Sequence, residues 1–167
     1  AQVHKAVTLE GETVAVKVLR PGIERRLAND IAAMRLGAKM VEAFLPDSRR
    51  LEPVQFVETV ARATELEMDL RLEGASASEL AEAAAAADDF FLPEVHWDRT
   101  ARRVLTTSWV DAIPLTDIAA IDAAGIDRAR LATTLTRAFL TCAMDRGVFH
   151  ADMHAGNLFA DTDGHLW

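Results

Sequence analysis

Hydrophobic residues recur along the chain at two different spacings. The first, an alternation typical of a β-strand, lies near the start of the chain. In residues 12–20 three valines alternate with Ala15, Lys17 and a leucine, so a strand here would have a valine face and a face that carries the lysine. Residues 3–7 are expected to pair with this strand through a tight turn at Gly11. The pattern therefore predicts an antiparallel hairpin.

Long helices are predicted to follow the hairpin. Apolar residues recur at spacings of three and four over residues 23–45, which is the period of an amphipathic helix. A second such helix is expected over residues 53–73, ended or bent at Gly74. A third, alanine-rich helix is expected to begin at a capping box formed by Ser76 and Glu79.

Shorter elements are predicted for the rest of the chain. Residues 94–97 and 104–110 have strand character, and a small helix is expected from Thr116. A longer helix follows, capped by Asp127 and ended by Gly147. Its predicted buried face comprises Leu131, Leu135, Ala138, Phe139 and Cys142. This change of character predicts a boundary near residue 110, between a β/α half and a helical half.

Composition then restricts the functional classes. The 167 residues contain 18 Lys and Arg against 26 Asp and Glu, a formal net charge of −8, and this acidic balance without a basic stripe excludes a nucleic-acid-binding surface. The single cysteine, Cys142, excludes an internal disulfide and a cysteine-based zinc site. No apolar run approaches the ~18 residues that a membrane span needs.

The most specific pattern lies near the end of the chain, where Asp152 and Asn157 are five residues apart in a predicted loop after a long helix. This spacing matches the catalytic loop of kinases, in which the aspartate orients the attacking hydroxyl and the asparagine binds a magnesium ion on the nucleotide phosphates. Two alternatives stay open: a polar loop with a turn at Gly156, and a hydrolase-type metal site formed by His150, Asp152 and His154.

Lys17 is the second candidate because it lies in the middle of the valine-rich strand, in the sequence Val-Ala-Val-Lys that matches the strand lysine of kinases. Burial of its ammonium is costly unless it meets anions, which phosphates and a helix carboxylate would supply. Ala15 shares its face and would leave room for a flat purine. The alternative is an edge-strand lysine that points to solvent and discourages aggregation.

Acidic residues near the end of the second predicted helix are the third candidate. Asp69 and Glu73 are one helical turn apart and are predicted to share a face, whereas Glu67 would point elsewhere. One of these carboxylates could meet Lys17 if the helix packs beside the strand. The alternative is a solvated acidic face.

The remaining histidines and the tryptophans are given structural interpretations. Histidines without a partner at helical or strand spacing are interpreted as surface or turn residues: His4, His96 and His165. The tryptophans are expected in the core: Trp97, Trp109 and Trp167.

In combination these motifs resemble the UbiB/AarF-type atypical kinases, a family of the protein-kinase-like superfamily linked to ubiquinone biosynthesis. The resemblance rests on four stretches, AQVHKA, VAVKVLRPGI, LEMDLRLEG and FHADMHAGNLF. It implies an α+β, bilobal protein-kinase-like fold. Residues 1–110 would form an N-lobe with a small antiparallel sheet and inserted helices, and residues 111–167 a truncated, helical C-lobe with the catalytic loop.

The resemblance also implies roles for individual residues. Lys17 would contact the phosphates with Glu73 as its ion-pair partner, Asp152 would be the catalytic aspartate, and Asn157 a metal ligand. The family signature Glu-x-Asp would be formed by Glu67 and Asp69. The residues implied to contact the nucleotide are Gln2 and Val3 after the alanine-rich loop, Ala15 and Lys17 on the strand, and Trp109 and Val110 in the hinge that reads the adenine.

The activity implied is Mg²⁺-assisted phosphoryl transfer from ATP, or ATP hydrolysis, in support of isoprenoid-quinone biosynthesis. Alternatives are a small-molecule phosphotransferase of aminoglycoside-kinase type and a nucleotide-binding scaffold without turnover. The resemblance further implies quinone-biosynthesis proteins or lipid intermediates as partners. Localisation is expected in the cytoplasm, or at the cytoplasmic face of the inner membrane through segments outside this chain.

The family's Lys-x-Gly-Gln and Asp-Phe-Gly motifs and most of its alanine-rich loop are absent, and neither end carries a polar tail. The chain is therefore expected to be an internal part of a longer protein, and the lack of Asp-Phe-Gly makes an inactive fragment an open alternative.

Overall fold

A computed structural model describes residues 1–85, 89–148 and 153–167 of the chain. Its helices and strands follow one another in an α+β order. They are β1 (Gln2–Val7), β2 (Thr13–Val18), α1 (Ile23–Phe44), α2 (Pro53–Glu67), α3 (Leu70–Ala84), β3 (Val104–Ser108), β4 (Ile113–Pro114), α4 (Ile118–Ala123), α5 (Arg128–Thr141) and β5 (Phe159–Ala160). Short 3₁₀ turns occupy Pro46–Leu51 and Trp97–Arg99, and a π-helical turn occupies Cys142–Arg146.

The first sheet is antiparallel, with strand order β1-β2-β3. The predicted hairpin is present, and its turn is closed by a hydrogen bond from the Thr8 amide to the Glu12 carbonyl, with Gly11 at a φ of 92° that favours glycine. In the register Ala15 lies between Lys5 of β1 and Thr107 of β3. This pairing fixes which side chains share a face of the sheet.

Helices α1 and α2 pack against each other and lie in the chain between β2 and α3. The buried residues are Ile31 and Ala38 on α1 and Val57 and Ala61 on α2, as the apolar period predicts. The Arg35 guanidinium, through Nε and Nη2, donates to the two Glu58 carboxylate oxygens at 2.7 and 2.8 Å. An apolar contact and an ion pair therefore join the two helices.

The boundary between the second and third helices differs from the prediction. The apolar period predicts a continuous helix over residues 53–73, but α2 ends at Glu67 and α3 begins at Leu70. The cap of α3 is Asp69, whose carboxylate accepts from the Arg71 amide at 3.1 Å, so Ser76 is not the cap. Gly74 lies inside α3, where the helix packs closely on the sheet.

Two hydrophobic clusters stabilise the fold. The smaller one joins Leu70 of α3 to Leu105 of β3 and to Val95. The larger one joins the second half of α3 to the helical remainder of the chain. Its most buried members are Ile121, Ala138, Ala160 and Leu166. Helix α3 therefore contributes to both clusters.

Some predicted elements and core positions are corrected by the structure. Residues 94–97 do not form a strand; one isolated bridge joins Val95 to Thr107, and a 3₁₀ turn begins at Trp97. Trp97 is 49% exposed and Phe139 is 39% exposed, so neither is a core residue. The remainder of the predicted α5 face is buried or half-buried, and burial raises the pKa of the Cys142 thiol.

The second half of the chain follows the sequence signals closely. Asp127 caps α5 by accepting from the amides of Ala129 and Arg130, and Gly147 ends the π-helical turn at a φ of 69°.

Within the described parts of the chain, no helix has both the length and the apolar composition to cross a membrane.

Candidate functional site

The centre of the candidate site is an ion pair between the sheet and α3. Nζ of Lys17, on β2, lies 2.6 and 2.7 Å from the two carboxylate oxygens of Glu73, in the first turn of α3. Both side chains are partly exposed, at 32% and 47%, so the pair faces an open cleft. An ammonium held in this way keeps donor capacity for a further anion.

The start of α3 positions Glu73. The Asp69 carboxylate caps the helix and also accepts from the Arg71 guanidinium Nε at 2.9 Å. This hydrogen bond from Arg71 lowers the pKa of Asp69 to about 2, so the cap is ionised at neutral pH. Asp69 therefore fixes the turn that carries Glu73.

Gly74 allows α3 to approach the sheet. A Cβ atom at this position would lie 3.1 Å from Leu105 Cδ1, 3.3 Å from the Trp97 ring and 3.4 Å from Val95 Cγ1. These distances leave little room for a side chain, because Leu105 is itself buried. The absence of a side chain at position 74 thus brings the neighbouring Glu73 within reach of Lys17.

A cavity of about 480 Å³ opens beside the ion pair. It is bounded by the Lys17–Glu73 pair, by Glu67 at the end of α2 and by Asp69 at the break between the helices. The other residues that line it are Ala1, Leu19, Leu66, Leu70, Leu72 and Ser76. The helical period predicts that Glu67 points elsewhere, but the helix break brings all three acidic residues to this one cavity.

The alternation of β1 and β2 decides which predicted nucleotide contacts face the cleft. Val3 pairs with Lys17, and Ala15 lies two residues before Lys17, so the three side chains share one face. Gln2 pairs with Val18 and lies on the opposite face of the sheet. The structure therefore does not bring the Gln2 side chain to the cleft, because it is one residue out of phase with Val3.

The predicted hinge follows β3 and remains attached to the sheet. The Trp109 amide donates to the Thr13 carbonyl at 3.3 Å, which continues the β2–β3 pairing, and Val110 follows half-buried. The Lys5 ammonium lies 4.5 Å from the centroid of the Trp109 ring. Sequence reasoning missed Lys5, although the period of two in β1 places it on the same face as Val3.

The predicted catalytic loop is described only in part. Asp152 and His150 lie outside the described residues. Asn157 is exposed, and its backbone N–H donates to the His154 backbone carbonyl at 2.9 Å. The catalytic and metal-binding roles of Asp152 and Asn157 stay predictions, as does the alternative metal site with His150 and His154.

An acidic turn after β5 is a feature that the sequence did not predict. Asp161 accepts from the Trp167 indole at 3.0 Å and lies 3.0 Å from His165 Nδ1, so His165 does have a partner. Burial raises the pKa of Asp161, but these hydrogen bonds outweigh it and leave the pKa lowered. Asp161, Asp163 and His165 could place ligand atoms within 4.8 Å of one another. Their mutual hydrogen bonds account for the arrangement without an ion.

His96 also has a neighbour that its sequence spacing did not indicate. Its Nε2 atom lies 3.5 Å from the Glu12 carboxylate, across the start of β2. This contact could not be predicted from the sequence, because the fold of the sheet brings the two residues together and they share no local periodicity.

Comparison with known proteins gives a consistent family relationship. The ABC1 atypical kinase-like domain family matches residues 1–167. Proteins named "Probable protein kinase UbiB" from Xylella fastidiosa (strain 9a5c) and Xanthomonas oryzae pv. oryzae are 42% and 44% identical over 163 and 169 residues. Each alignment covers 98% of this chain and 30% of the relative, so the chain spans about 30% of the length of these relatives.

A solved structure shows the same fold. A Mycobacterium tuberculosis protein in complex with erythromycin matches with a TM-score of 0.75 and 29% identity, over 99% of this chain and 41% of that protein. The predicted α+β, protein-kinase-like fold, with a small antiparallel sheet and inserted helices, is confirmed by this likeness and by the elements described above.

Proposed function

Because the chain belongs to the ABC1 atypical kinase-like domain family, we propose that the protein binds ATP in the cleft beside β2. With Mg²⁺ it transfers or hydrolyses the γ-phosphoryl group. The observation that carries this proposal is the Lys17–Glu73 ion pair at the wall of the 480 Å³ cavity. A strand lysine held by a helix carboxylate is the arrangement that kinases use to grip nucleotide phosphates.

The charges of the cavity support a nucleotide that enters together with a cation. Lys17 balances Glu73, and Arg71 balances Asp69. Glu67 makes no ion pair with any described residue, so the side chains of the cavity wall carry a net negative charge. A free triphosphate would be repelled by this carboxylate, whereas a magnesium-bound one carries less negative charge.

Four residues of the chain would have separate roles in phosphoryl transfer. The Lys17 ammonium donates to phosphate oxygens, and Glu73 keeps it oriented. The Asp152 carboxylate accepts the proton of the attacking hydroxyl or water as the new P–O bond forms and the bond to the leaving phosphate oxygen breaks. Asn157 supplies an oxygen ligand of the type that Mg²⁺ prefers, and the ion, when bound, neutralises phosphate charge.

Phosphate release from ATP in the presence of Mg²⁺ tests this proposal. Asp152→Asn removes the proton acceptor and is expected to abolish turnover while ATP binding is retained. Asp145→Asn, an exposed change in the π-helical turn, is the matched control and is expected to leave turnover unchanged. ATP binding without phosphate release in the unmodified protein would contradict the enzymatic proposal and favour a scaffold.

We further propose that this activity supports isoprenoid-quinone biosynthesis, with proteins or lipid intermediates of that process as partners. The support is the resemblance to the UbiB/AarF-type family, with which the name of the relatives and the extent of the match agree. The site of action would be the cytoplasm or the cytoplasmic face of the inner membrane. Loss of the protein should lower cellular isoprenoid quinone, and a Lys17→Met copy should fail to restore it. Restoration by that copy would contradict the proposal.

A further inference from the structure

The face of the sheet that carries Lys17 holds a second cation near its other end. Lys5 of β1 pairs directly with Ala15, so its side chain lies on the same face as Ala15 and Lys17. Its ammonium lies 4.5 Å from the centroid of the Trp109 ring, within the range of a cation–π interaction. Lys5 is thus held on the cleft side of the sheet.

The side chain of Lys5 must cross β2 to reach Trp109. Strand β2 lies between β1 and β3, and Trp109 is bonded to Thr13 at the start of β2. A lysine that begins opposite Ala15 and ends over Trp109 therefore passes across the surface of β2 beside Ala15. Ala15 is the small residue predicted to leave room for a flat purine.

The distance along β2 between Lys17 and Trp109 is compatible with the length of a nucleotide. Thr13 and Lys17 are four residues apart, or about 13 Å at 3.3 Å per residue. An extended nucleoside triphosphate has a comparable length. In the proposed ATP site the nucleotide extends along β2 from Lys17 towards Thr13, so its base would lie near Trp109, at the predicted hinge. The Trp109 indole Nε1 is buried and has no hydrogen-bond partner among the described residues, so this ring is not fixed by a polar contact of its own.

We propose that Lys5 occupies the base end of the cleft in the free protein and competes with the nucleotide base for it. In the free protein its ammonium rests on Trp109, and an entering purine base displaces it and takes its place against Ala15 and the ring. This inference rests on the proposed ATP site and adds a residue that tunes affinity for the base. Lys5 opposes base binding by the free energy of the cation–π contact, whereas Lys17 favours phosphate binding.

The test compares ATP with inorganic tripolyphosphate, which has the phosphates but no base, by calorimetric titration in the presence of Mg²⁺. Lys5→Ala removes a positive charge from the cleft as well as the contact with Trp109. The readout is therefore the ratio of ATP affinity to tripolyphosphate affinity, measured at high ionic strength, where the effect of the lost charge on the two ligands is screened. We expect this ratio to rise about two- to fivefold, the factor that corresponds to an exposed cation–π contact.

Two further variants serve as controls. Lys5→Arg keeps a cation that can rest on Trp109 and should give the ratio of the unmodified protein. Lys39→Ala removes an exposed cation of α1, outside the cleft, and should also leave the ratio unchanged. An unchanged or lowered ratio in Lys5→Ala would overturn the inference, since Lys5 would then be irrelevant to the base or a ligand for it.

A spectroscopic readout follows the same displacement. ATP should change the fluorescence of Trp109, whereas tripolyphosphate should change it much less, and Trp109→Phe should remove the difference. Equal responses to the two ligands would contradict displacement by a base. Failure of the ATP site itself has another signature, because neither ATP nor tripolyphosphate would then bind to the unmodified protein.

Discussion

Lys17 of β2 and Glu73 of α3 are 56 residues apart in the chain, yet Nζ of the lysine donates to both carboxylate oxygens of the glutamate at 2.6 and 2.7 Å. The contact depends on two local features of α3. Asp69 determines where the helix begins, and Gly74 determines how closely it approaches the sheet. The geometry of the cleft can therefore be tested at residues that do not touch the nucleotide.

The Asp69 cap should make stability depend on pH in the acidic range. Its pKa is about 2 in the folded chain against an ordinary value of 3.8, so the ionised form stabilises the fold above pH 3.8 and this contribution is lost as the pH falls towards 2. Asp69→Asn keeps a capping oxygen but loses the charge, and Asp69→Ala loses both. Thermal unfolding followed by circular dichroism provides the measurement.

At neutral pH we expect Asp69→Ala to lower the melting temperature by about 2–4 °C, with Asp69→Asn between it and the unmodified chain. Near pH 2 the melting temperatures of the unmodified chain and Asp69→Asn should approach each other, because the carboxyl is then about half protonated in the folded chain and almost fully protonated in the unfolded chain. If the melting temperatures of the unmodified chain and Asp69→Asn differ by the same amount at both pH values, the charge of Asp69 contributes nothing to stability.

Two glycines in helices should respond in opposite ways to a side chain. A Cβ atom at Gly37 of α1 would meet nothing within 4 Å, so Gly37→Ala should stabilise the chain by about 0.5–1 kcal/mol through helix propensity. Gly74→Val would place atoms against Leu105 and Trp97, and should destabilise by about 1–3 kcal/mol. Urea unfolding gives both values, and a stabilising Gly74→Val would contradict the close packing of α3 on the sheet.

The second half of α3 should stabilise the helical part of the chain. Leu80 is 5% exposed and belongs to the larger hydrophobic cluster, together with Ile121 of α4 and Leu131 of α5. Leu80→Ala should therefore cost about 2–5 kcal/mol of unfolding free energy. Leu36→Ala on α1, where the leucine is 63% exposed, is the matched control and should change stability by less than about 0.5 kcal/mol. Equal effects of the two changes would refute this role of α3.

Periodic segments are predictable from the sequence because their signal is local. The β1–β2 hairpin, α1 and the Asp127 cap of α5 each depend on residues that are close in the chain. The motif that contains Lys17 and the acidic residues around Asp69 are also recognisable. Their roles in the family remain predictions, whereas their convergence on one cavity is observed.

Sequence-based expectations fail where a tertiary contact determines the local structure. Glycine usually weakens helices, so Gly74 predicts a helix end, but here it is retained inside α3 by the closeness of Leu105. The true helix boundary is set by Asp69, one of several acidic neighbours that the sequence alone does not distinguish as a cap. The size and strand context of Trp97 predict a core residue, yet it lies at the edge of the sheet and is half-exposed.

The measurement that tests the central proposal most directly is ATP binding to Lys17→Met by isothermal titration calorimetry with Mg²⁺, with Lys39→Met as the control for loss of a lysine outside the cleft. Methionine keeps much of the length of the Lys17 side chain but cannot pair with Glu73 or with a phosphate. We expect tight binding to be lost in Lys17→Met, by at least about tenfold in Kd, and preserved in Lys39→Met. Equal ATP affinity in the two variants would contradict a nucleotide site at the Lys17–Glu73 pair.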